Sequence, residues 1–268
     1  MKSQTLNCEQ SGISFEVSHE QIGKQSTVVW IHGEFGSFED PPFSKEVQAL
    51  ANMVVIHIPG WGKSTSTSDI DRLDQLATAM WWAVEEICGE SPVLLAGHGL
   101  GATIAVEMAI QQPRLTSGLL LAAPFGYFDE RDPGVDIFAL MPKDLMKHLY
   151  QNPNSDLAKT QFPSSDDGYE RGLIAIRRVE VLGSASRYLF PIPDTNIGDR
   201  AYRLSKVPMS VLFGKSDGVV PSGLSAQWAK SFPHAEIQII PEAGHMLPYE
   251  TTATDRALEK LLAVKSGS

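Results

Sequence analysis

Two side chains suited to proton transfer follow apolar runs near the end of the chain. Asp217 ends the segment FGKSD, which overlaps the run 210–213, and His245 lies in the segment AGHM, which follows the run 236–240. A carboxylate beside an imidazole can move a proton or activate a nucleophile. A single histidine after a strand is more often structural, so the hypothesis depends on the motifs that accompany this pair.

A glycine-rich segment stands where such a pair would need a nucleophile. Residues 97–101 read GHGLG, directly after the apolar run 93–96 and before a helical pattern. This is the frame G-x-S-x-G of a tight strand-to-helix turn, with Gly99 in the position of the serine. The central residue of that turn has a strained backbone conformation, which glycine tolerates. The sequence therefore predicts the turn without its nucleophile, and an ordinary glycine-rich turn is the alternative.

A third motif, HGEFG at residues 32–36, follows the apolar run 28–31. Backbone N–H groups of Glu34 and Phe35, together with that of Leu100 at the start of the next predicted helix, could stabilise a developing oxyanion. We therefore expect these three residues to form an oxyanion hole. The Glu34 carboxylate leaves two alternatives open: it faces away and only its N–H matters, or it faces inward as an acid or base with a raised pKa.

Short apolar runs bounded by glycine and proline predict the strands that carry these motifs. They lie at 28–31, 53–58, 93–96, 119–121, 210–213 and 236–240, and helical spacing is found over 70–87 and 100–111. Strands that alternate with helices predict a mostly parallel sheet, with an antiparallel edge around residues 13–17. Ligands bind beyond the carboxyl ends of parallel strands, so the three motifs and Asp217 should meet at one edge.

The alternation stops between residues 125 and 206, a segment rich in proline, aspartate and aromatic residues. Eighty residues are too many for a structureless loop, so we predict a helical cap, or lid, at 125–206 inserted into a core domain of residues 1–124 and 207–268. Cap and loop side chains should line a mostly apolar pocket. The expected substrate-binding residues are Gly33, His98, Phe125, Phe138, Met141, Tyr188 and Met246.

The composition of the chain limits the classes of binding partner that can be expected. A formal net charge of −10 argues against nucleic acid or an anionic membrane as a partner. No apolar run is long enough to cross a membrane and the first residues lack the apolar core of a signal peptide, so a cytoplasmic protein is expected. The two cysteines suggest neither a disulfide framework nor a zinc site, and no G-x-G-x-x-G motif is present. We expect a medium-sized apolar small molecule as substrate, no cofactor or metal, and a monomer or homodimer.

These motifs resemble those of the α/β-hydrolase superfamily, over nearly the whole chain. The similarity is to its capped esterases and carbon–carbon bond hydrolases. PGWGKS at 59–64 resembles the family's turn P-G-x-G-x-S after the fourth strand, and GHMLPYE at 244–250 resembles its ending G-H-x-x-x-x-E. RYLFPIPD at 187–194 resembles a cap segment of one bacterial branch. The resemblance implies a mostly parallel eight-stranded sheet flanked by helices, with an inserted helical cap. It also implies that Asp217 orients His245, which would activate a nucleophile at position 99.

Gly99 puts the covalent step of that family in doubt, because loss of the nucleophile leaves only the oxyanion hole and substrate binding. Three explanations stay open: a Ser→Gly exchange made to hold substrate without turnover, a natural enzyme that uses His245–Asp217 as a general base, or a non-catalytic ligand-binding protein. The parent activity is hydrolysis of a carboxylic ester or activated carbon–carbon bond. A lyase, isomerase or cofactorless oxygenase based on the same pair is the alternative.

Overall fold

The computed structural model describes residues 1–21, 23–38, 40–65 and 69–265. Its strands are β1 Lys2–Cys8, β2 Ile13–Glu20, β3 Thr27–Ile31, β4 Asn52–Ile56, β5 Val93–His98, β6 Thr116–Ala122, β7 Met209–Gly214 and β8 Glu236–Ile240. They form one eight-stranded sheet in the order β1-β2-β4-β3-β5-β6-β7-β8. Strand β2 pairs antiparallel with both β1 and β4. The remaining pairs along the sheet, from β4-β3 to β7-β8, are parallel. The predicted mostly parallel sheet with an antiparallel edge is confirmed.

Helices lie between and after the strands. They are α1 Lys45–Gln48, α2 Leu73–Cys88, α3 Leu100–Gln111, α4 Pro142–Leu149, α5 Asp156–Gln161, α6 Gly168–Leu189, α7 Ile197–Arg200, α8 Ser225–Ser231, α9 Leu247–Glu250 and α10 Ala253–Lys265. Two short 3₁₀ turns, Ala201–Leu204 and Ser222–Leu224, complete the helical elements. None of the helices in the described ranges is long and apolar enough to cross a membrane.

The sheet core follows from the apolar runs. Every residue of β5 and β7 is buried, as expected for central parallel strands covered on both faces. Helix α3 is apolar around its circumference and is buried from Leu100 to Ile110, so it packs between the sheet and its helical neighbours. Strand β8 is at the edge of the sheet and is partly exposed. Because β3, β5, β6, β7 and β8 are parallel neighbours, the carboxyl ends of β3, β5, β7 and β8 lie along one edge of the sheet.

Between β6 and β7 the fully described segment 125–206 contains only helices and one isolated bridge between Gly126 and Asp194. Its longest helix is α6, which begins after Asp167. The Asp167 side chain caps this helix by accepting hydrogen bonds from the N–H groups of Tyr169 and Glu170.

Candidate functional site

Gly99 forms the sharp turn between β5 and α3. Its backbone has φ 53° and ψ −119°, a conformation that is strained for any residue with a Cβ. The turn is fixed on both sides, because the Gly99 N–H donates to the Ala122 carbonyl at 2.9 Å and its carbonyl accepts from the Thr103 N–H and hydroxyl, each at 3.1 Å. Gly101 must also be glycine, since a Cβ there would overlap the carbonyls of Ile31 and His32. The structure therefore has a sharp strand-to-helix turn at this position, with glycine at its centre.

Asp217 and His245 meet beyond the ends of β7 and β8. The distance from His245 Nδ1 to Asp217 Oδ2 is 2.9 Å, and both side chains are fully buried. The other Asp217 oxygen accepts hydrogen bonds from the N–H groups of Val219 and Val220, both at 2.8 Å. This carboxylate is therefore fixed in place and can hold the imidazole in one orientation.

The Glu34 side chain faces into the site. Its Oε1 lies 2.7 Å from His245 Nε2, and its Oε2 accepts a hydrogen bond from the Leu100 N–H at 3.1 Å. The expectation that the side chain faces away is wrong. A buried carboxylate needs charged or hydrogen-bonding partners, and here His245 and the first N–H of helix α3 supply them.

Glu34 occupies the space that a side chain at position 99 would need. A Cβ built on Gly99 would overlap Glu34 Oε2 and lie 3.1 Å from Glu34 Cδ. The Glu34 main chain is held by Trp61, whose indole N–H donates to the Glu34 carbonyl at 3.0 Å, and the loop closes through the Gly36 N–H and the Gly33 carbonyl at 3.1 Å. The carboxylate thus bridges His245 and the Leu100 N–H and fills the space beside Gly99.

The charges at this site reinforce one another. Burial opposes the charged form of His245, but the adjacent carboxylates of Asp217 and Glu34 outweigh it and raise the pKa of His245 to about 10. Burial likewise opposes the charge on Glu34, but the attraction and hydrogen bond of His245 lower the pKa of Glu34 to about 2, where the alternative expectation was a raised pKa. The interaction between the two groups therefore favours an imidazolium at His245 and an ionised carboxylate at Glu34.

Aromatic rings surround His245. Its ring centroid lies 4.9 Å from that of His98, 6.0 Å from that of Phe125 and 6.4 Å from that of Phe35. His98 Nε2 lies 2.8 Å from the His245 carbonyl, and burial, followed by the charge of His245, lowers the pKa of His98 to about 4. Phe35 in turn contacts Phe162 from the segment 125–206, with centroids 5.4 Å apart. His245 is thus enclosed by aromatic rings, and both His245 and Glu34 are fully buried.

The remaining predicted binding residues lie at different depths. Gly33 is tightly packed against His98, since a Cβ there would lie 2.6 Å from His98 Nδ1. Met246 is fully buried, whereas the Met141 side chain is 70% exposed at the start of α4. The Tyr188 hydroxyl donates to the Ile70 carbonyl at 3.0 Å, and the Phe138 ring packs on Phe190.

Four positioning hydrogen bonds were not predicted from the sequence. The Glu250 carboxylate accepts hydrogen bonds from the N–H groups of Gly244 and Gln151, both at 2.8 Å, and so fixes the backbone beside His245. The carbonyls at the end of α4 hold the loops of the acid–base pair: that of His148 accepts from Gly218 and that of Leu149 from Met246, each at 3.0 Å. The spacing between His245 and Glu250 was part of the family resemblance, but the α4 contacts had no signal in the sequence.

The chain belongs to the alpha/beta hydrolase family, whose model matches residues 28–260. A 2-hydroxy-6-oxononadienedioate/2-hydroxy-6-oxononatrienedioate hydrolase of Burkholderia vietnamiensis is 24% identical, over 92% of this chain and 91% of that protein. A membrane phospholipase A described as a bacterial virulence factor superposes with a TM-score of 0.79 at 16% identity, over 100% of this chain and 87% of the other. A thermophilic esterase superposes with a TM-score of 0.70 at 19% identity, over 98% of both chains. The chain is therefore an α/β-fold hydrolase by family.

Proposed function

We propose that this chain hydrolyses a carboxylic ester or an activated carbon–carbon bond of a medium-sized apolar substrate, with Glu34, His245 and Asp217 as its reacting side chains. The 2.7 Å contact between Glu34 Oε1 and His245 Nε2 is the observation that carries this proposal. In the serine frame that contact would belong to a hydroxyl at position 99. Here a carboxylate from the neighbouring loop makes it, so the acid–base pair keeps a reacting partner.

The charge on His245 favours this assignment over a general-base enzyme. A lyase, isomerase or cofactorless oxygenase built on His245–Asp217 would need a neutral imidazole to remove a proton. The two flanking carboxylates raise the pKa of His245 to about 10, so at neutral pH it carries its proton and is suited to protonate a leaving group. The group available to attack or accept a proton is the Glu34 carboxylate.

The proposed substrate class rests on the aromatic surroundings and on the relatives. Phe35, Phe125 and Phe162 form an apolar environment around the acid–base pair. The Burkholderia relative is named for the hydrolysis of 2-hydroxy-6-oxononadienedioate, and fold neighbours include an esterase. Ester cleavage and the cleavage of a bond next to a ketone both begin at a carbonyl carbon. We further propose that residues 125–206 act as a cap over the core formed by residues 1–124 and 207–268.

Turnover measurements test the assignment. The wild type, Glu34→Gln and His245→Gln are compared on a panel of aryl esters and on 2-hydroxy-6-oxononadienedioate. The active-site variants should lose about 10²–10⁴-fold in kcat, which is the usual contribution of a positioned proton-transfer group. Glu107→Gln is a matched control, because Glu107 is also a buried carboxylate but pairs with Arg200 on helix α7. Equal activity in Glu34→Gln and Glu107→Gln would refute the role of Glu34.

A non-catalytic ligand-binding protein is the second candidate, favoured by one observation. Glu34 and His245 are both 0% exposed and satisfy each other's hydrogen-bonding groups. A protein of this kind would show no turnover on any member of the panel, and its Glu34→Gln and His245→Gln variants would have no rate to lose. Wild-type hydrolysis that is abolished by these substitutions would exclude it.

A further inference from the structure

We propose that Glu34 is a covalent nucleophile, recruited from the loop after β3 to replace the residue missing at position 99. This inference rests on the proposed function and goes beyond it, since hydrolysis by Glu34 could also proceed by direct attack of water. In the covalent route Oε1 attacks the acyl carbon of the substrate. The product of the first step is a mixed anhydride between the Glu34 side chain and the acyl group.

The position of the carboxylate is the first argument. Oε2 overlaps the space that a Cβ of residue 99 would need, and Oε1 contacts the His245 nitrogen that faces a nucleophile in this fold. The 2.7 Å contact is direct, so no water stands between the carboxylate and the imidazole. The carboxylate itself therefore occupies the reacting position, whereas direct attack by water would require a water molecule in that position.

The hydrogen bonds of the carboxylate are the second argument. The Leu100 N–H donates to Oε2 at 3.1 Å, at the start of the twelve-residue helix α3. When water attacks Glu34 Cδ in the second step, negative charge develops on Oε2, and this donor already points at it. The donor is therefore placed to stabilise hydrolysis of the anhydride at the Glu34 carbon and not at the substrate carbon.

His245 gives up one proton in the first step and takes up one in the second. As Oε1 bonds to the acyl carbon, the bond to the leaving oxygen or carbon breaks, and the imidazolium donates its proton to that leaving group. His245, now neutral, takes a proton from the water that attacks Glu34 Cδ. The bond from Cδ to the bridging oxygen breaks and the acyl group departs as a carboxylate, with the second proton released to solvent. No oxidant, reductant or further reactant is required.

The low basicity of the Glu34 carboxylate also argues against a role as general base for an attacking water. The ion pair with His245 outweighs burial and lowers the pKa of Glu34 to about 2, whereas an efficient general base has a pKa near the working pH. The same ionisation keeps the carboxylate available as a nucleophile throughout the neutral range. The electrostatics thus agree with the geometry in favouring attack by Glu34 itself.

Isotope labelling in a single turnover tests the proposal. Excess wild-type protein is mixed with an aryl ester in oxygen-18 water. The masses of the acid product and of the peptide that contains Glu34 are then measured by mass spectrometry. The covalent route predicts an unlabelled first-turnover acid and one oxygen-18 atom in Glu34. A labelled acid with unlabelled Glu34 would overturn the proposed route, in which the anhydride is hydrolysed at Glu34 Cδ, while leaving the hydrolase assignment intact. Absence of acid product from every ester and from 2-hydroxy-6-oxononadienedioate would instead refute the proposed function, and the covalent inference with it.

A conservative variant gives a second readout. Glu34→Asp keeps the charge opposite His245 but withdraws the carboxylate by one methylene. Because a nucleophile misplaced by about 1 Å can cost about 10²-fold in rate, kcat should fall by at least that factor. Binding of the carboxylic acid product, measured by calorimetry, checks that the variant is folded. Full activity in Glu34→Asp together with an unlabelled peptide would contradict the covalent role.

Discussion

Glu34 Oε2 and a side chain at position 99 cannot occupy the site together, because a Cβ built on Gly99 would overlap that oxygen. The absence of a side chain at Gly99 and the inward orientation of Glu34 are therefore two parts of one arrangement. In a serine enzyme with this turn, the space would hold the hydroxyl and its Cβ. Here the space holds a carboxylate that is bonded to His245 and to the Leu100 N–H.

Gly99→Ser should lower the free energy of unfolding by more than the cost of the strained backbone at position 99 alone. A positive φ costs about 1–3 kcal/mol for a residue with a Cβ, and displacement of the Glu34 carboxylate adds to that cost. Gly89→Ser is the matched control, since Gly89 also has a positive φ of 61° but a Cβ there meets nothing within 4 Å. Urea unfolding of the two variants should show the larger loss for Gly99→Ser. An equal loss would mean that Glu34 yields the space freely.

Removing the Glu34 side chain should allow a serine at position 99 to react. Gly99→Ser alone should not be labelled by a fluorophosphonate, because Glu34 lies between position 99 and His245. Glu34→Ala/Gly99→Ser clears the carboxylate and leaves the His245–Asp217 pair in place. We expect this double variant to gain fluorophosphonate labelling at position 99, detected by peptide mass. Labelling of the single variant, or none in a folded double variant, would contradict the shared-space arrangement.

The stability difference between the wild type and Glu34→Gln should depend on pH. The pKa of Glu34 is lowered from 4.5 to about 2, so its stabilising effect is complete above 4.5 and is lost as the pH falls through 2. The pKa of His245 is raised from 6.5 to about 10, so its effect is complete below 6.5 and is lost as the pH rises through 10. The difference should therefore be greatest between pH 4.5 and 6.5.

Urea unfolding of both proteins at a series of pH values checks this. The difference in the free energy of unfolding should decline on both the acidic and the alkaline side of that window. A difference that stays constant from acid to alkali would show that Glu34 and His245 do not form a charged pair in the folded chain.

Much of the fold could be predicted because its signals are local. The run 93–96 falls within β5, the helical pattern 100–111 coincides with α3, and GHGLG marks the turn between them. Glycine, proline and β-branched residues limit the backbone wherever they occur, so strands and turns follow from short segments. The position of His245 after β8, opposite Asp217 after β7, follows from the topology of a parallel sheet.

The orientation of Glu34 could not be predicted in this way. It depends on the space at Gly99 and the charge of His245, residues distant in sequence, and on a loop held by Trp61. A local reading of HGEFG permits either orientation of the carboxylate. One signal was available: a glycine at the nucleophile position and a carboxylate in the adjacent loop are complementary, and considering the two motifs together would have indicated the pair.

Access to the carboxylate should be controlled by Phe162. Its ring packs on Phe35, 5.4 Å away, and on Phe38, 5.7 Å away, and Phe35 lies against His245. Glu34 is fully buried and contacts His245, so we expect that a reagent must displace these rings to reach it. Phe162→Ala removes the outer ring and should increase the rate of carbodiimide modification of Glu34 several-fold, measured by peptide mass. This readout does not require turnover.

Loss of stability alone must be separated from that effect. Phe162 is only partly buried, so its truncation should cost about 1–3 kcal/mol, below the range for a fully buried phenylalanine. Trp82→Ala is the control, since Trp82 is a partly buried aromatic residue on α2 that packs on Phe15. If both variants lose similar stability but only Phe162→Ala exposes Glu34, then Phe162 is the local cover of the site, and the same variant should raise kcat/KM for the bulkier aryl esters. Equal modification rates in the two variants would mean that Glu34 is reached only by global unfolding.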